Sequence, residues 1–251
     1  MDVVVAGNTE QQASGGVRTL AIDIGGTRLK GSVLDEAGQM SGEPARVDTP
    51  LRDPDAVVEA LVKLVEPLGA FDRVSVGFPG VVIRGCIRTA PNLGTPEWKG
   101  YPLAARLAER FGRPVRVLND GSVQGLGVIS GEGLECVITL GTGVGFALFH
   151  SGKLAPHLEL GQHPVKDDKT YDQYLGNAAL RDIGKKKWNK RVERVIALLQ
   201  TLSTYDTLYI GGGNAKAITC ELPGNVRITA NAAGITGGIH LWDDRVDETY
   251  F

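Results

Sequence analysis

The sequence is poor in cysteine and has no large excess of charge of either sign. Its three cysteines, Cys86, Cys136 and Cys220, lie far apart in mostly apolar surroundings, which favours reduced thiols and a cytoplasmic location over a disulfide framework. The formal net charge of -2 provides no bulk attraction to nucleic acid or to an acidic membrane, so neither is an expected partner.

Long apolar runs are also missing. No stretch approaches the length of a membrane span. Residues 1–16 lack the basic start and apolar core of a secretory signal, and we interpret them as a flexible tail. The four histidines and three cysteines show no paired metal-ligand spacing, so structural zinc is not expected.

Glycine is abundant, with 34 residues that cluster in short motifs typical of ligand-binding turns. The first motif lies within Thr19–Leu34, which predicts a strand, a tight turn and a second strand. Two adjacent glycines permit positive φ angles there and leave no Cβ to block a ligand. The candidate phosphate-binding residues are Asp23, Gly25, Gly26, Thr27 and Lys30.

Asp23 would repel a phosphate unless a cation lay between them, and we therefore infer Mg²⁺ held by Asp23 through water. The alternative is a surface hairpin with an acidic residue near its turn. It is not a Walker loop, because no Lys-Ser or Lys-Thr follows the glycines.

Two further glycine turns follow predicted strands. The strand 135–140 leads into Gly141, Thr142 and Gly143, which repeats the first hairpin and predicts two halves that offer similar turns to a shared cleft. The strand 208–210 leads into Gly211, Gly212, Gly213 and Asn214. Strands alternate with predicted helices along the chain, which indicates an α/β fold.

Several helices are predicted with less regular patterns. They cover 122–130, 171–180, 192–204, a helix starting at 215, and a closing helix over 232–242. Lys185–Lys187 falls between two of them and is interpreted as a solvated corner.

Asn119 and Asp120 follow a predicted strand and precede a helix. Asp120 could accept a proton from a bound hydroxyl, and the alternative is that it caps the helix. Glu159 is either a ligand contact or an exposed loop carboxylate, and the same two interpretations are open for His163.

Five motifs together resemble those of the ROK sugar kinases. They are Asp23–Thr27, Asn119–Asp120, Gly141–Gly145, Glu159–Gly161 and Gly211–Gly213, in family order and near family spacing. The chain length and the ending Ile210–Lys216 are similar to the polyphosphate glucokinase branch. The resemblance implies an actin-like, hexokinase-like (ribonuclease H-like) α/β fold with two lobes and a central cleft. The expected lobes are 17–118 and 119–251, with the last helix packing back toward the first lobe.

The resemblance also implies roles for individual residues. Asp120 would be the catalytic base, and Gly211–Asn214 the nucleotide-side turn. The sugar-binding candidates are Asn92, Asn119, Glu159, Gln162 and His163. The family commonly has histidine directly after Glu-Leu-Gly, where this chain has Gln162 followed by His163, so which of the two takes that role stays open. The family's cysteine-rich zinc motif is missing from 164–168.

The expected activity is phosphoryl transfer from polyphosphate and/or ATP, with Mg²⁺, to the terminal hydroxyl of a hexose, with glucose as the first expectation, in a cytoplasmic homodimer. The alternatives are a non-catalytic sugar-sensing ROK protein and an ATP-only hexose kinase for another sugar. A polyphosphate chain would need a line of cations leading out of the cleft. The candidates are Arg28, Lys30, Lys185, Lys186, Lys187, Lys190, Arg191 and Lys216. The other interpretation of the Lys185–Arg191 segment is a solvated helix junction.

Overall fold

The computed structural model describes residues 16–50, 52–229 and 233–251. All of the predicted tail except Gly16 lies outside these residues, as does Ala232 at the start of the predicted closing helix. None of the helices in the described part of the chain is both long enough and apolar enough to cross a membrane.

Two five-stranded sheets form the framework. The strands of the first half, in chain order, are β1 (Thr19–Ile24), β2 (Arg28–Leu34), β3 (Ala45–Asp48), β4 (Arg73–Phe78), β5 (Val82–Ile83), β6 (Cys86–Ile87) and β7 (Val115–Asn119). The first sheet has the order β3-β2-β1-β4-β7, and β5 and β6 form a separate hairpin. Strands β1, β4 and β7 run parallel, whereas β2 is antiparallel to β1 and to β3.

The second sheet repeats this plan. Its half contains β8 (Leu134–Leu140), β9 (Val144–His150), β10 (Lys153–Leu154), β11 (Pro164–Lys166), β12 (Lys169–Thr170), β13 (Thr207–Gly211) and β14 (Val226–Ile228). The order is β10-β9-β8-β13-β14, with β11 and β12 as a separate pair. The antiparallel β8–β9 hairpin beside the parallel strand β13 corresponds to β1–β2 beside β4. The repeat predicted from the glycine turns is therefore present in the fold.

The helices are α1 (Pro54–Val65), α2 (Thr95–Trp98), α3 (Leu103–Phe111), α4 (Asp120–Leu126), α5 (Tyr171–Leu175), α6 (Asn177–Ser203) and α7 (Ala233–Thr236). Short 3₁₀ turns cover Glu66–Leu68, Leu160–Gln162, Ala215–Ala217, Gly237–Trp242 and Glu248–Tyr250. Asp53 caps α1 by accepting a hydrogen bond from Ala56 N at 2.9 Å, as its place before Pro54 predicts.

Five helix predictions need correction. The helix after Asn119 covers Asp120–Leu126 instead of 122–130, and the helix predicted over 171–180 is divided at Gly176, whose extended backbone ends α5 before α6 begins. The corner between the two later helices lies at Gly184, whose φ of 75° breaks α6, so Lys185–Lys187 belong to the second helical segment as exposed residues. Only a 3₁₀ turn follows Gly213, and the closing segment is α7 followed by another 3₁₀ turn.

The closing segment joins the two halves of the molecule. Ser75 on β4 donates to Gly238 O at 2.7 Å, and a Cβ on Gly238 would lie 3.1 Å from the Ala21 side chain of β1. A Cβ on Gly237 would overlap Val123 O of α4. Because these glycines allow such close backbone approach, the segment packs α4 against the first sheet. The ends of the parallel strands of the two sheets therefore face one cleft.

Candidate active site

The cleft contains a cavity of about 310 Å³ at these strand ends. Most of the residues predicted from the sequence as site residues line it. They are Asp23, Gly25, Gly26, Lys30, Asn92, Asn119, Asp120, Gly141, Thr142, Gly143, Glu159, Gln162, Gly212 and Gly213. Residues from six separate stretches of the chain therefore meet in one place.

Four predicted site residues lie beside the cavity without lining it: Thr27, His163, Gly211 and Asn214. The exposed His163 ring has its Nδ1 2.7 Å from Pro164 O, so of the two candidates for the family histidine position it is Gln162 that reaches the cavity. Asn214 donates from Nδ2 to Gly141 O at 3.1 Å, which ties the third glycine turn to the second.

The first glycine turn is a tight link between β1 and β2. Gly25 N donates to Arg28 O at 2.9 Å, and a Cβ on Gly25 would lie 2.7 Å from the same oxygen. A Cβ on Gly26 would lie 3.1 Å from Asn92 Cβ. Neither glycine has the positive φ expected from the sequence, so close packing, and not backbone handedness, makes this turn require glycine.

Asn119, and not Asp120, caps the helix that follows them. Asn119 caps α4, because its Oδ1 accepts from Gly121 N at 2.9 Å and from Ser122 N at 3.3 Å, while its Nδ2 donates to Gly80 O at 3.1 Å. The carboxylate of Asp120 is therefore not the cap of this helix. It lies in the cavity wall with Oδ1 2.8 Å from Gly121 N.

The protonation of Asp120 is strongly affected by its surroundings. Burial, reinforced by the nearby negative charges of Asp23 and Glu159, raises the pKa of Asp120 to about 7. A carboxyl group whose pKa is near neutrality in a cleft is suited to accept and release a proton.

The second turn is held by a residue that the sequence interpretation missed. Asp172, near the start of α5, accepts from Val144 N at 2.6 Å through Oδ1 and from the Gln162 side chain at 2.7 Å through Oδ2. A Cβ on Gly143 would lie 2.6 Å from the same Oδ1. Burial, with a contribution from Glu159, raises the pKa of Asp172. In the sequence, this helix start is marked by the capping box of Thr170 and Gln173. A capping box predicts a helix start and does not indicate that Asp172 belongs to a binding site.

Two more residues were not predicted. Gln124 lines the cavity four residues after Asp120, a spacing that places both on one face of α4 and that could have indicated it. His157 lies with Nε2 3.0 Å from Glu159 Oε2, which holds the Glu159 side chain in position. The residues around His157 in the sequence do not predict this contact.

The acidic side chains of the cavity decide whether it can hold a metal ion. In the described part of the chain, no group of three or more His, Cys, Asp or Glu side chains is arranged to hold a metal ion. Asp23 lines the cavity beside the first turn, with Oδ2 2.7 Å from Lys30 Nζ. A single carboxylate fits Mg²⁺ wherever phosphate also binds, because Mg²⁺ takes most of its ligands from water and phosphate oxygens.

The chain is similar to a known protein family and to several of its members. The ROK family model matches residues 19–163. A polyphosphate glucokinase of Mycobacterium leprae (strain TN) is 32% identical over 218 residues, which is 82% of this chain and 66% of that protein. A polyphosphate glucokinase of Mycobacterium tuberculosis (strain H37Rv) is 32% identical over 205 residues, covering 78% and 77% respectively. The match thus spans about two thirds of the first relative's length.

A solved structure is similar over nearly the whole described chain. The inorganic polyphosphate/ATP-glucomannokinase of Arthrobacter sp. strain KM superposes with a TM-score of 0.81 at 32% identity, covering 89% of this chain and 97% of that one. The two sheets and their cleft are thus the actin-like, hexokinase-like fold of sugar kinases. The chain belongs to the ROK family, which confirms the resemblance stated from the motifs.

Proposed function

We propose that this protein is a hexose kinase that transfers a phosphoryl group from polyphosphate and/or ATP to the terminal hydroxyl of a hexose, with glucose as its sugar. One observation carries the proposal: Asp120 and Glu159 share a single cavity with glycine turns from both sheets. Phosphoryl transfer needs a positioned nucleophile and a cradle for phosphate charge, and this cavity offers candidates for each.

On the acceptor side, Asp120 takes the proton of the attacking hydroxyl. Its raised pKa of about 7 lets it be ionised near neutral pH while remaining basic enough to accept a proton. Asn92, Asn119, Glu159 and Gln162 line the cavity around it and would hold the other sugar hydroxyls. His157 and Asp172 fix the orientation of Glu159 and Gln162.

On the donor side, the glycine turns bring backbone N–H groups close to a phosphate. Gly25, Gly26, Gly141, Thr142, Gly143, Gly212 and Gly213 all line the cavity. Lys30 adds a positive charge. Asp23 would hold Mg²⁺, whose chemistry is to neutralise the charge of the donor phosphates.

The contacts of the third turn favour polyphosphate over ATP as the donor. An adenine ring beside Gly211–Gly213 would need Asn214 near the base, but the Asn214 amide is bonded to Gly141 O. Asn189 holds the following chain against α6, since it donates to Ala217 O at 3.0 Å and accepts from Thr219 N at 2.7 Å. ATP belongs to the proposal as the weaker donor.

A coupled assay that crosses glucose, mannose and N-acetylmannosamine with polyphosphate and ATP in Mg²⁺ buffer tests the proposal. We expect donor-dependent phosphorylation of glucose, and its loss on adding EDTA. Sugar binding without transfer to any of these hexoses would instead identify a sugar-sensing protein. The proposal also includes a homodimer in the cytoplasm, and light scattering of the purified protein measures the first of these.

A further inference from the structure

One polar side chain at the floor of the cavity has an amide nitrogen without a hydrogen-bond partner in the described part of the chain. Gln124, on α4, lines the cavity and is only 8% exposed, yet its Nε2 has no hydrogen-bond partner among the residues that the structure describes. Burying an amide group without a partner costs free energy. Such a group in a binding cavity therefore indicates a ligand that supplies the missing acceptor.

A second unpartnered group lies close by. Thr229, which follows β14, has a buried Oγ1 that also finds no hydrogen-bond partner in the described part of the chain. The two groups meet at Gly211, the last residue of β13, and of the three residues Gln124 is the one that lines the cavity. A Cβ on Gly211 would overlap Gln124 Nε2 and would lie 2.9 Å from Thr229 Oγ1. The absence of a side chain at Gly211 is thus what gives the Gln124 amide its place.

The position of Gln124 along α4 directs it toward the reacting groups. It follows Asp120 by four residues, so the two side chains lie one above the other on the same face. Side chains of a helix lean toward its N-terminal end, which here is the end that carries Asp120. Gln124 therefore reaches toward the cavity from below the candidate base.

The chemistry of the two groups selects the kind of ligand. An amide nitrogen only donates hydrogen bonds, and a hydroxyl can donate one. Oxygens of a phosphate chain are acceptors that carry charge, and hydrogen bonds to charged acceptors are stronger than those to neutral ones. Gln124 lines the cavity together with Gly212 and Gly213 of the third glycine turn, and its Nε2 packs against the preceding Gly211.

We propose that Gln124 Nε2, supported by the Thr229 hydroxyl, binds a phosphate oxygen of the phosphoryl donor at the floor of the cavity. This assignment deepens the proposed kinase function and rests on it for the name of the reaction. Gln124 would then bind the phosphoryl donor together with the glycine turns that line the same cavity.

Gln124→Met tests the inference, because methionine has similar length and no polar hydrogen. We measure the affinity for tripolyphosphate in Mg²⁺ buffer by calorimetry without sugar, the KM for donor and for glucose, and the melting temperature. Expected results are a loss of about 10-fold in tripolyphosphate affinity, the size typical for a hydrogen bond to a charged group. The glucose KM stays within about 2-fold and the melting temperature is unchanged or higher, because a buried unpartnered group is removed.

Thr229→Val is the second variant and removes one hydroxyl without changing shape. We expect a smaller loss of tripolyphosphate affinity, about 3-fold, than for Gln124→Met. Thr201→Val is its matched control, since Thr201 is exposed on α6, and it should bind tripolyphosphate like the unchanged protein. If Gln124→Met does not fold, Gln124→Glu, which adds a charge that repels phosphate, takes its place with a larger expected loss.

The inference is overturned if Gln124→Met binds tripolyphosphate within about 2-fold of the unchanged protein, which would assign the amide to a buried water. It is also overturned if only the glucose KM changes. Failure of the kinase function is a separate result: tripolyphosphate would still bind in a manner that depends on Gln124, while no hexose is phosphorylated. Turnover that is insensitive to Gln124 would refute the inference alone.

Discussion

Lys30 Nζ lies 2.7 Å from Asp23 Oδ2, across the first hairpin where the two residues are direct register partners. The pair places one negative and one positive group at the wall of the cavity that holds Asp120. Since Asp23 is a cause of the raised Asp120 pKa, the charge state of this hairpin and the activity of the candidate base are coupled.

The pH dependence of activity should report this coupling. Asp120 must be ionised to accept a proton, so kcat/KM for glucose should fall as the pH is lowered through about 7. Asp23→Asn removes a like charge and should move this acidic limb to lower pH, in addition to weakening activity. Rate profiles of the two proteins between pH 5 and 9 measure the shift. A limb at the same pH in Asp23→Asn would contradict the coupling.

Replacing Asp120 should lower the activity and raise the stability of the folded protein. Asp120→Asn should lower kcat by at least about 10²-fold, the usual contribution of a general base, while glucose affinity changes much less. The pKa of Asp120 is raised in the folded protein, so the folded protein holds this proton more tightly than the unfolded chain does. At high pH, where Asp120 is ionised, the buried charge therefore lowers the stability of the fold.

Unfolding in urea at pH 8.5 and at pH 5 measures the second effect. Above pH 7 the Asp120→Asn protein should be more stable than the unchanged protein by on the order of 1 kcal/mol or more. The gain should shrink as the pH falls below about 7, where Asp120 is protonated in the folded state. Glu132→Gln, on an exposed loop, is the control and should show no such pH-dependent gain.

Gln162 is expected to bind the sugar, with its side chain held in position by Asp172. Gln162→Ala removes the 2.7 Å hydrogen bond to Asp172 Oδ2 and a group that lines the cavity. The KM for glucose should rise about 10-fold, with little change in the KM for the phosphoryl donor. His163→Ala is a matched neighbouring change, and its side chain does not line the cavity, so its glucose KM should stay close to normal. Equal effects of the two changes would remove Gln162 from the sugar site.

Local patterns predicted much of this molecule. The strand and glycine turn around Gly25 were recognised because they are continuous in the sequence, and the family resemblance confirmed by comparison rests on such motifs. The pairing of Asp172 with Gln162 was not predicted, since the two residues are ten apart and meet only through the fold. The unpartnered state of Gln124 depends on Gly211 and Thr229 and is likewise a tertiary property.

The position of the break in α6 was also predicted wrongly. The charge of Lys185–Lys187 suggested a corner at the lysines, yet the left-handed backbone of Gly184 places the turn one residue earlier. Gly213 and the residues after it carry helix-compatible side chains, but packing against Asn189 limits the segment to one 3₁₀ turn.

The exposed lysines after Gly184 provide the last prediction, which concerns the donor. They lie in the segment of α6 whose Asn189 is bonded to Ala217 O, and so beside the chain that leaves the third glycine turn. Arg191, by contrast, is engaged within the protein, since it donates to Tyr174 O at 3.0 Å. A polyphosphate chain that extends out of the cleft on this side would meet the lysines, whereas ATP is too short to need them.

Charge reversal of two of them, Lys186→Glu with Lys187→Glu, should therefore lower kcat/KM for long-chain polyphosphate by about 10-fold or more at low salt and leave that for ATP within about 2-fold. The loss should diminish as salt is added, because screening weakens the interaction in the unchanged protein as well. Lys63→Glu, an exposed lysine on α1, is the control and should leave the rates with either donor unchanged. If the double variant retains full activity with polyphosphate across the salt series, these lysines are a solvated part of the helix and the donor leaves the cleft elsewhere.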